Sequence, residues 1–314
     1  MTKGDPAATI VITTRNRKED LRQALRSAFA QDVAVEVIVT DDASEDGTQD
    51  MVREEFPAVR ILRSDQCLGL IVQRNRAGDS ASCDIIFSLD DDAAFGSSDT
   101  VRQTLTEFSD ARIGAVAIPH VDTQTGRIVN PQAPDDGQIW CVASYTGTAH
   151  AVRRDVFLAL GGYREDLVHQ GEESDFCIRM LAAGFVTRLG RAPFLQHYES
   201  PRRSFTRMDH YGRRNDLLFA WRHAPAVWLV PHLLATTWNG LRSAAACGRW
   251  RSQIGGIVAG WHAILKRCYP REPVSTPVYR TFRTLKKRGP EKLEDIIESL
   301  PPGHAAPGLI QDSE

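Results

Sequence analysis

The sequence predicts an α/β fold: a mostly parallel sheet with helices on both faces, followed by a basic helical extension. Three observations carry this. Short β-branched runs without polar alternation, Ala8–Thr13 and Val35–Thr40, read as strands buried on both faces. Helical periodicity separates them, as in Leu21, Ala24, Leu25, Ala28 and Phe29. The connections are short, which places successive strands side by side in a parallel sheet.

The remaining elements follow in order. A polar loop, Asp41–Thr48, leads into a helix near Gln49–Phe56, and Val59–Leu62 is a third strand. A helix over Leu70–Ala81 precedes Asp84–Leu89, an apolar strand that stops on Asp90-Asp91-Asp92. A helix at Val101–Phe108 and a strand at Ile113–Pro119 come next, then a Gly- and Pro-containing stretch, His120–Gln138, read as a long loop. Ala143–Val152 returns to the sheet, Arg153–Leu160 is a short helix, and Glu172–Ala183 is a stronger one that stops at Gly184. Helices are expected at Ser204–Arg222, Ile254–Lys266 and Val278–Lys287. The apolar stretch Ala226–Ala246 is interrupted by Pro231, His232, Asn239 and Arg242. The division expected is residues 1–222 as the catalytic domain, 223–289 as a helical extension for membrane contact or pairing of subunits, and 290–314 as a flexible tail.

Composition bounds the chemistry. The 314 residues are 42% hydrophobic and 25% charged, ordinary for a globular protein with a sizeable core. Residues 202–288 hold 17 Lys and Arg against three acids, in a chain whose total charge is −2. Six scattered cysteines form no C-x-x-C pair and fit a reducing compartment. No signal peptide and no run of 18 apolar residues is read, so no spanning helix is expected. Nucleic acid is not an expected partner, because basicity without a recognition motif is nonspecific.

In a parallel α/β sheet, ligands bind at the carboxyl ends of the strands. Those ends carry Thr13-Thr14-Arg15-Asn16, Asp41-Asp42 and Asp90-Asp91-Asp92. Three adjacent carboxylates contribute nothing to a strand and suit a cation. Asp90 and Asp92, at i and i+2, fall on one side of an extended chain. Oxygen donors of this kind favour Mg²⁺ or Mn²⁺ bridging to substrate phosphates. Gly171-Glu172-Glu173-Ser174-Asp175 places acids in a helix's first turn, where they either complement the dipole or supply a general base. His197 is either a structural hydrogen-bonder or a nitrogen ligand to the same cation. The Arg-rich run after it suits a diphosphate.

Taken in order, Ile10–Asn16, Val39–Thr48, Gly69 with Arg74-Asn75, Leu89–Asp92, Val152-Arg-Arg with Gly161-Gly162-Tyr163, Gly171–Asp175 and His197 resemble the family 2 inverting glycosyltransferases. The resemblance spans about residues 8–220, and Tyr211-Gly-Arg-Arg-Asn215 is similar to bacterial members acting on surface glycans. It implies a GT-A fold, a Rossmann-like, mostly parallel nucleotide-diphospho-sugar transferase architecture. It implies a hexosyl- or deoxyhexosyltransferase that takes a nucleoside-diphosphate sugar and delivers it to a hydroxyl of a glycan or lipid-linked acceptor. Thr13, Arg15 and Asp42 are then assigned to the nucleotide, Asp42 at the base edge, with Arg74 or Asn75 lining its pocket. Asp92 is the expected direct metal ligand, with Asp90 acting through water or ribose and His197 on metal or diphosphate. Asp91 is expected to matter least. Glu173 matches the catalytic base and Asp175 a supporting position. The sequence reads Glu-Glu where the family commonly has Glu-Asp, so Glu172 stays a second candidate.

Two other readings are weighed. A sugar-nucleotide nucleotidyltransferase would carry a Gly-rich phosphate loop after the first strand, and Thr14-Arg15-Asn16-Arg17-Lys18 lacks the glycines. A non-catalytic sugar-nucleotide-binding protein would be expected to lack a carboxylate at the metal or base position, and both are present. The expected location is cytoplasmic, with the basic, Trp- and Leu-rich extension lying on the inner face of the membrane, packing on the catalytic domain, or pairing two subunits into a homodimer.

Overall fold

The fold was analysed in a computed structural model that describes residues 5–198 and 205–303. Arg202 and Arg203, which head the Arg-rich run, lie outside the described residues, as does the acidic tail from His304.

The first half builds the parallel part of the sheet. β1 (Ala8–Thr14), α1 (Lys18–Phe29), β2 (Val35–Asp41), α2 (Thr48–Glu55), β3 (Arg60–Arg63), α3 (Leu70–Ser80) and β4 (Ile85–Asp90) follow one another. β1 pairs in parallel with β2 and β4, and β2 with β3. Successive residues of these strands enter opposite cores, as the two-residue period dictates. Ile10, Ile12, Val37, Val39, Phe87 and Leu89 meet Leu21, Leu25 and Met51 of α1 and α2 on one face. Val11, Ile38 and Ile86 meet Ile71 and Ala77 of α3 on the other.

Next come β5 (Ala93–Ala94), α4 (Thr100–Thr106), β6 (Ile113–Ala117), β7 (His120–Asp122), β8 (Ile128–Asn130), β9 (Trp140–Val142) and β10 (His150–Arg153). After these come α5 (Arg154–Ala159), α6 (Glu172–Ala182), β11 (Val186–Leu189) and β12 (Leu195–His197). β10 enters the sheet between β4 and β6, antiparallel to both. Running backwards, it starts where β1 and β4 end, which brings the preceding turn, Tyr145–Thr148, to the same edge. His120–Gln138 is not one loop: β7 and β8 form a hairpin in a second sheet ordered β5-β12-β7-β8. That sheet pairs His197 with Ala93 and sets it beside Asp92.

α7 (Phe205–His223), α8 (Ala226–Cys247) and α9 (Trp250–Leu265) share a core of Leu217, Leu218, Leu233, Ile257 and Ile264. The interrupted apolar stretch is thus one helix with Pro231 inside it. Pro231 is exposed and near the helix start, so the missing donor costs one bond, to the Val227 carbonyl. α10 (Thr276–Arg288) leaves this bundle and packs Val278, Phe282 and Leu285 into the main core beside Phe176. β13 (Glu291–Lys292), the last strand among the described residues, pairs with β9 at the edge of the large sheet, and α11 (Leu293–Ile296) follows. Leu293, Ile296 and Leu300 are buried, so the stretch expected to be flexible from residue 290 belongs to the fold through Leu300.

Candidate active site

A cleft of about 630 Å³ opens where β1, β2 and β4 end. Thr13, Arg15, Asp42, Arg74, Asp90, Asp92, Glu172, Glu173 and His197 all line it. Nine residues chosen from separate motifs therefore surround one cavity.

Three of them form a cation-sized cluster. One ligand atom each from Asp90, Asp92 and His197 lie within 4.8 Å of one another. His197 Nε2 stands 3.2 Å from Asp92 Oδ1. Two carboxylates and an imidazole suit a divalent cation such as Mg²⁺ or Mn²⁺, with positions left for phosphate oxygens or water. Arg17 donates to Asp91 Oδ1 at 2.8 Å and to Asp92 Oδ2 at 3.0 Å. Asp91 is turned inward, accepting from Thr14 Oγ1 at 2.8 Å. Burial, opposed by Arg17 and reinforced by Asp92, pushes its carboxyl up to about 7. The residue expected to matter least thus ties the acidic turn to the end of β1.

Arg74 joins the two walls. Buried to 5% exposure, it donates through Nη2 to Asp90 Oδ1 at 2.8 Å and through Nη1 to Glu172 Oε1 at 3.1 Å. Glu173 Oε1 lies 3.6 Å from the same Nη1. The Glu172 side chain is 3% exposed and that of Glu173 22%, so Glu173 is the one that faces the cleft. Burial raises both carboxyls, and the Glu172 charge lifts Glu173 further against the opposing pull of Arg74. Gly147 closes over this group: a Cβ there would meet Arg74 Nη2 and Glu173 Oε1 at 2.6 Å, so any side chain would displace the guanidinium or the carboxylate.

Glu173 is delivered by a strained loop. Val168 and Gln170, neither a glycine, hold φ of 65° and 70°, and Gly171 follows at 89°. Asn215 on α7 pins that loop. Its buried Nδ2 donates to the carbonyls of Leu167, His169 and Gln170 at 2.9, 3.0 and 2.7 Å. Asn215→Ala removes all three bonds, at about 1–3 kcal/mol of stability. It is expected to lower kcat roughly tenfold to a hundredfold through misplacement of Glu173, with nucleotide affinity retained. Steady-state kinetics beside a nucleotide titration check this.

At the end of β2, Asp42 accepts from the Leu68 and Gly69 amides at 2.7 and 3.0 Å, from Gln73 Nε2 at 2.7 Å and from Cys67 Sγ at 3.1 Å. Burial alone would raise its carboxyl, but these hydrogen bonds hold it below the usual range. Arg15 donates to Cys67 at 2.9 Å, and the Thr13 and Thr40 hydroxyls pair at 3.0 Å.

Two expected site residues lie elsewhere. Asn75 bonds the backbone amide and carbonyl of Tyr163, fixing the Gly162-Tyr163 turn rather than lining the cleft. Asp175 points behind α6, accepting from Arg179 at 2.9 Å and His223 at 2.7 Å. Burial opposes its ionisation, yet His223, Arg179 and Arg164 hold it down to about 2. Conversely, Arg17, His120, Gly147, His169 and Arg207 belong to the cleft without a recognisable local signal. Burial and the neighbouring His197 lower His120 to about 4, so it is neutral there.

Residues 9–163 match the model of glycosyl transferase family 2. The succinoglycan biosynthesis protein ExoO of Rhizobium meliloti (strain 1021) is 33% identical over 123 residues, which is 37% of this chain and 34% of that protein. The aligned part thus spans about a third of that relative. Among solved structures, the mannosyltransferase PcManGT of Pyrobaculum calidifontis, in complex with GDP-Man and Mn²⁺, superposes with a TM-score of 0.56 at 19% identity. That match covers 84% of this chain and 88% of the mannosyltransferase. S. aureus TarS 1-349 gives 0.61 at 14% identity over 93% and 89% of the two chains. The architecture is accordingly the GT-A one, and the family 2 glycosyltransferase match lies in its first half, residues 9–163.

Proposed function

We propose that the protein transfers a sugar from a nucleoside-diphosphate sugar to a hydroxyl of a surface glycan or its lipid-linked precursor, with inversion and with a divalent cation. One observation carries this: a carboxylate–imidazole cluster and a cleft-facing glutamate share one cavity, joined by a single buried arginine. PcManGT, solved with GDP-Man and Mn²⁺, and GalNAc-T7, solved with UDP, GalNAc and Mn²⁺, support the donor class and the cation. The ExoO match supports the surface-glycan setting.

Asp92, Asp90 and His197 are the residues that would hold the cation. When bound, it supplies positive charge to the diphosphate leaving group. The base and ribose occupy the Thr13, Arg15 and Asp42 side, where the fixed 67–69 turn orients them. Glu173 accepts the proton of the acceptor hydroxyl, whose oxygen attacks the anomeric carbon opposite the diphosphate. The raised affinity of Glu173 for protons makes it a stronger base than an exposed glutamate. Arg74 holds Glu172 and Asp90, fixing the distance between the base wall and the cation wall. A single displacement needs one base and no covalent sugar–enzyme intermediate, so Glu172 can remain committed to Arg74.

A thermal-shift panel of nucleoside diphosphates with Mg²⁺ or Mn²⁺ tests the reading. One diphosphate at about 100 times its Kd stabilises by about 2.7 kcal/mol, a rise of several degrees, and only with the cation present. No shift with any nucleotide and either cation would remove the proposal.

A further inference from the structure

The outward side of the α8–α9 pair carries large apolar residues that are exposed among the described residues. On α8, Val227, Val230, Leu234 and Trp238 are 71, 60, 60 and 62% exposed. On α9, Trp250, Ile254, Val258 and Leu265 are 45, 38, 60 and 76% exposed. The two rows lie on one side. Trp261 Nε1 donates to Thr237 Oγ1 at 3.0 Å, Gly240 abuts Ile257, and Gln253 donates to Cys247, so the helices run antiparallel along this seam. Trp238 and Leu241 follow seam residues by one position on α8, and Ile254 and Val258 do so on α9. A one-residue step turns a side chain by about 100°, and in antiparallel neighbours both steps turn to the same side.

Along the two helices themselves the charge is of one sign, and the one acid met at their ends among the described residues is Asp209 of α7, paired with Arg249. Residues 226–271 contain six Lys and Arg and no Asp or Glu. Arg242, Arg251, Lys266 and Arg267 are exposed at the ends of the two helices. A second copy packed on the same face by two-fold symmetry would set this cationic rim against itself. An anionic bilayer instead takes up the apolar rows and neutralises the rim, and exposed tryptophans favour the lipid–water boundary. No helix among the described residues is long and apolar enough to cross a membrane, so the pair would lie along the surface.

We infer that the α8–α9 face docks the protein onto an anionic lipid surface. α7 connects this face to the cleft. Its first turn places Arg207 and Met208 in the cleft lining, and its middle packs His210 and Leu217 against Gly256 and Gly260 of α9. A docked protein therefore holds its cleft at a fixed height above the lipid, which suits a lipid-linked acceptor. That last consequence rests on the transferase reading; the docking does not.

Flotation of the full chain with phosphatidylcholine vesicles, with and without ~30% phosphatidylglycerol, separates the two. Binding is expected with the anionic vesicles and is expected to weaken as salt rises. The triple variant Leu234→Ser, Trp238→Ser, Val258→Ser is expected to lose at least about tenfold in vesicle partition. Its melting temperature and its nucleotide-induced thermal shift should stay unchanged, since all three side chains are exposed. Docking is overturned if the wild type does not float, or if the triple variant floats equally well. It is also overturned if sedimentation shows a dimer that the triple substitution dissociates. A nucleotide shift that fails while flotation succeeds would sink the transferase reading and leave the docking intact.

Discussion

Glu173→Gln is expected to reduce sugar transfer by roughly 10²–10⁴-fold, the range a positioned general base contributes. The substitution is nearly isosteric, and Arg74 keeps its bonds to Glu172 and Asp90 at 3.1 and 2.8 Å, so the cavity should hold its shape. Nucleotide binding should survive, because the cation cluster lies on the other wall. The pH profile gives an independent readout. Burial and Glu172 raise the Glu173 carboxyl, so the base is protonated at pH values where an exposed glutamate is already ionised. Wild-type kcat/KM should therefore climb with pH as Glu173 loses its proton, and this acid limb should be absent from the residual activity of the Gln variant. Full activity in Glu173→Gln, with loss in Glu172→Gln, would transfer the role to Glu172.

Asp92→Ala is expected to abolish transfer by a different route. Asp92 is 6% exposed and contributes one of the three ligand atoms of the cluster. Its removal takes away the expected direct ligand and one of the two carboxylate charges that offset the cation beside a diphosphate. The thermal shift given by nucleoside diphosphate plus Mn²⁺ should vanish, while Glu173→Gln retains it. Asp91 keeps its bonds from Arg17 and from Thr14 at the end of β1, both at 2.8 Å, so the acidic turn stays anchored and the variant should fold. Retention of cation-dependent nucleotide binding in Asp92→Ala would overturn the ligand set. The pair of variants thus separates binding from proton abstraction with one assay each.

How far the site was legible in the sequence follows from whether each signal is local. The strand ends were readable because β-branched runs stop abruptly on polar residues, and the α/β order then set those ends side by side. Asp42, Asp90 and Asp92 reached one cleft for that reason, whereas the loop before α6 and the second sheet bring Glu173 and His197 to it. What sequence position does not reveal is direction. Asn75 adjoins Arg74, yet one helical step turns it away to the Tyr163 backbone. Asp175 lies two residues beyond Glu173 and so points behind the helix, to His223. Which of Glu172 and Glu173 is the more exposed to the cleft is a matter of burial, which only the packed structure supplies. Arg17, Gly147 and Asn215 act across 74, 26 and 45 or more residues, through contacts with no local pattern to betray them. The second sheet escaped because its strands are two or three residues long and rich in polar groups, too short to show a period.

The last strand has a consequence for how the molecule is made. Glu291 and Lys292 pair with Cys141 and Trp140, and the Leu293 amide donates to the Ile139 carbonyl at 2.8 Å. Until that segment has left the ribosome, β9 presents an unpaired edge to solvent or to any neighbouring chain. Such edges invite strand addition by foreign partners. The contacts that cover this one span about 150 residues, and pairings so distant in sequence form slowly. The nascent chain therefore passes through a stage in which its nucleotide-side strands can be assembled while its far edge is still open, an interval in which chaperone protection matters most.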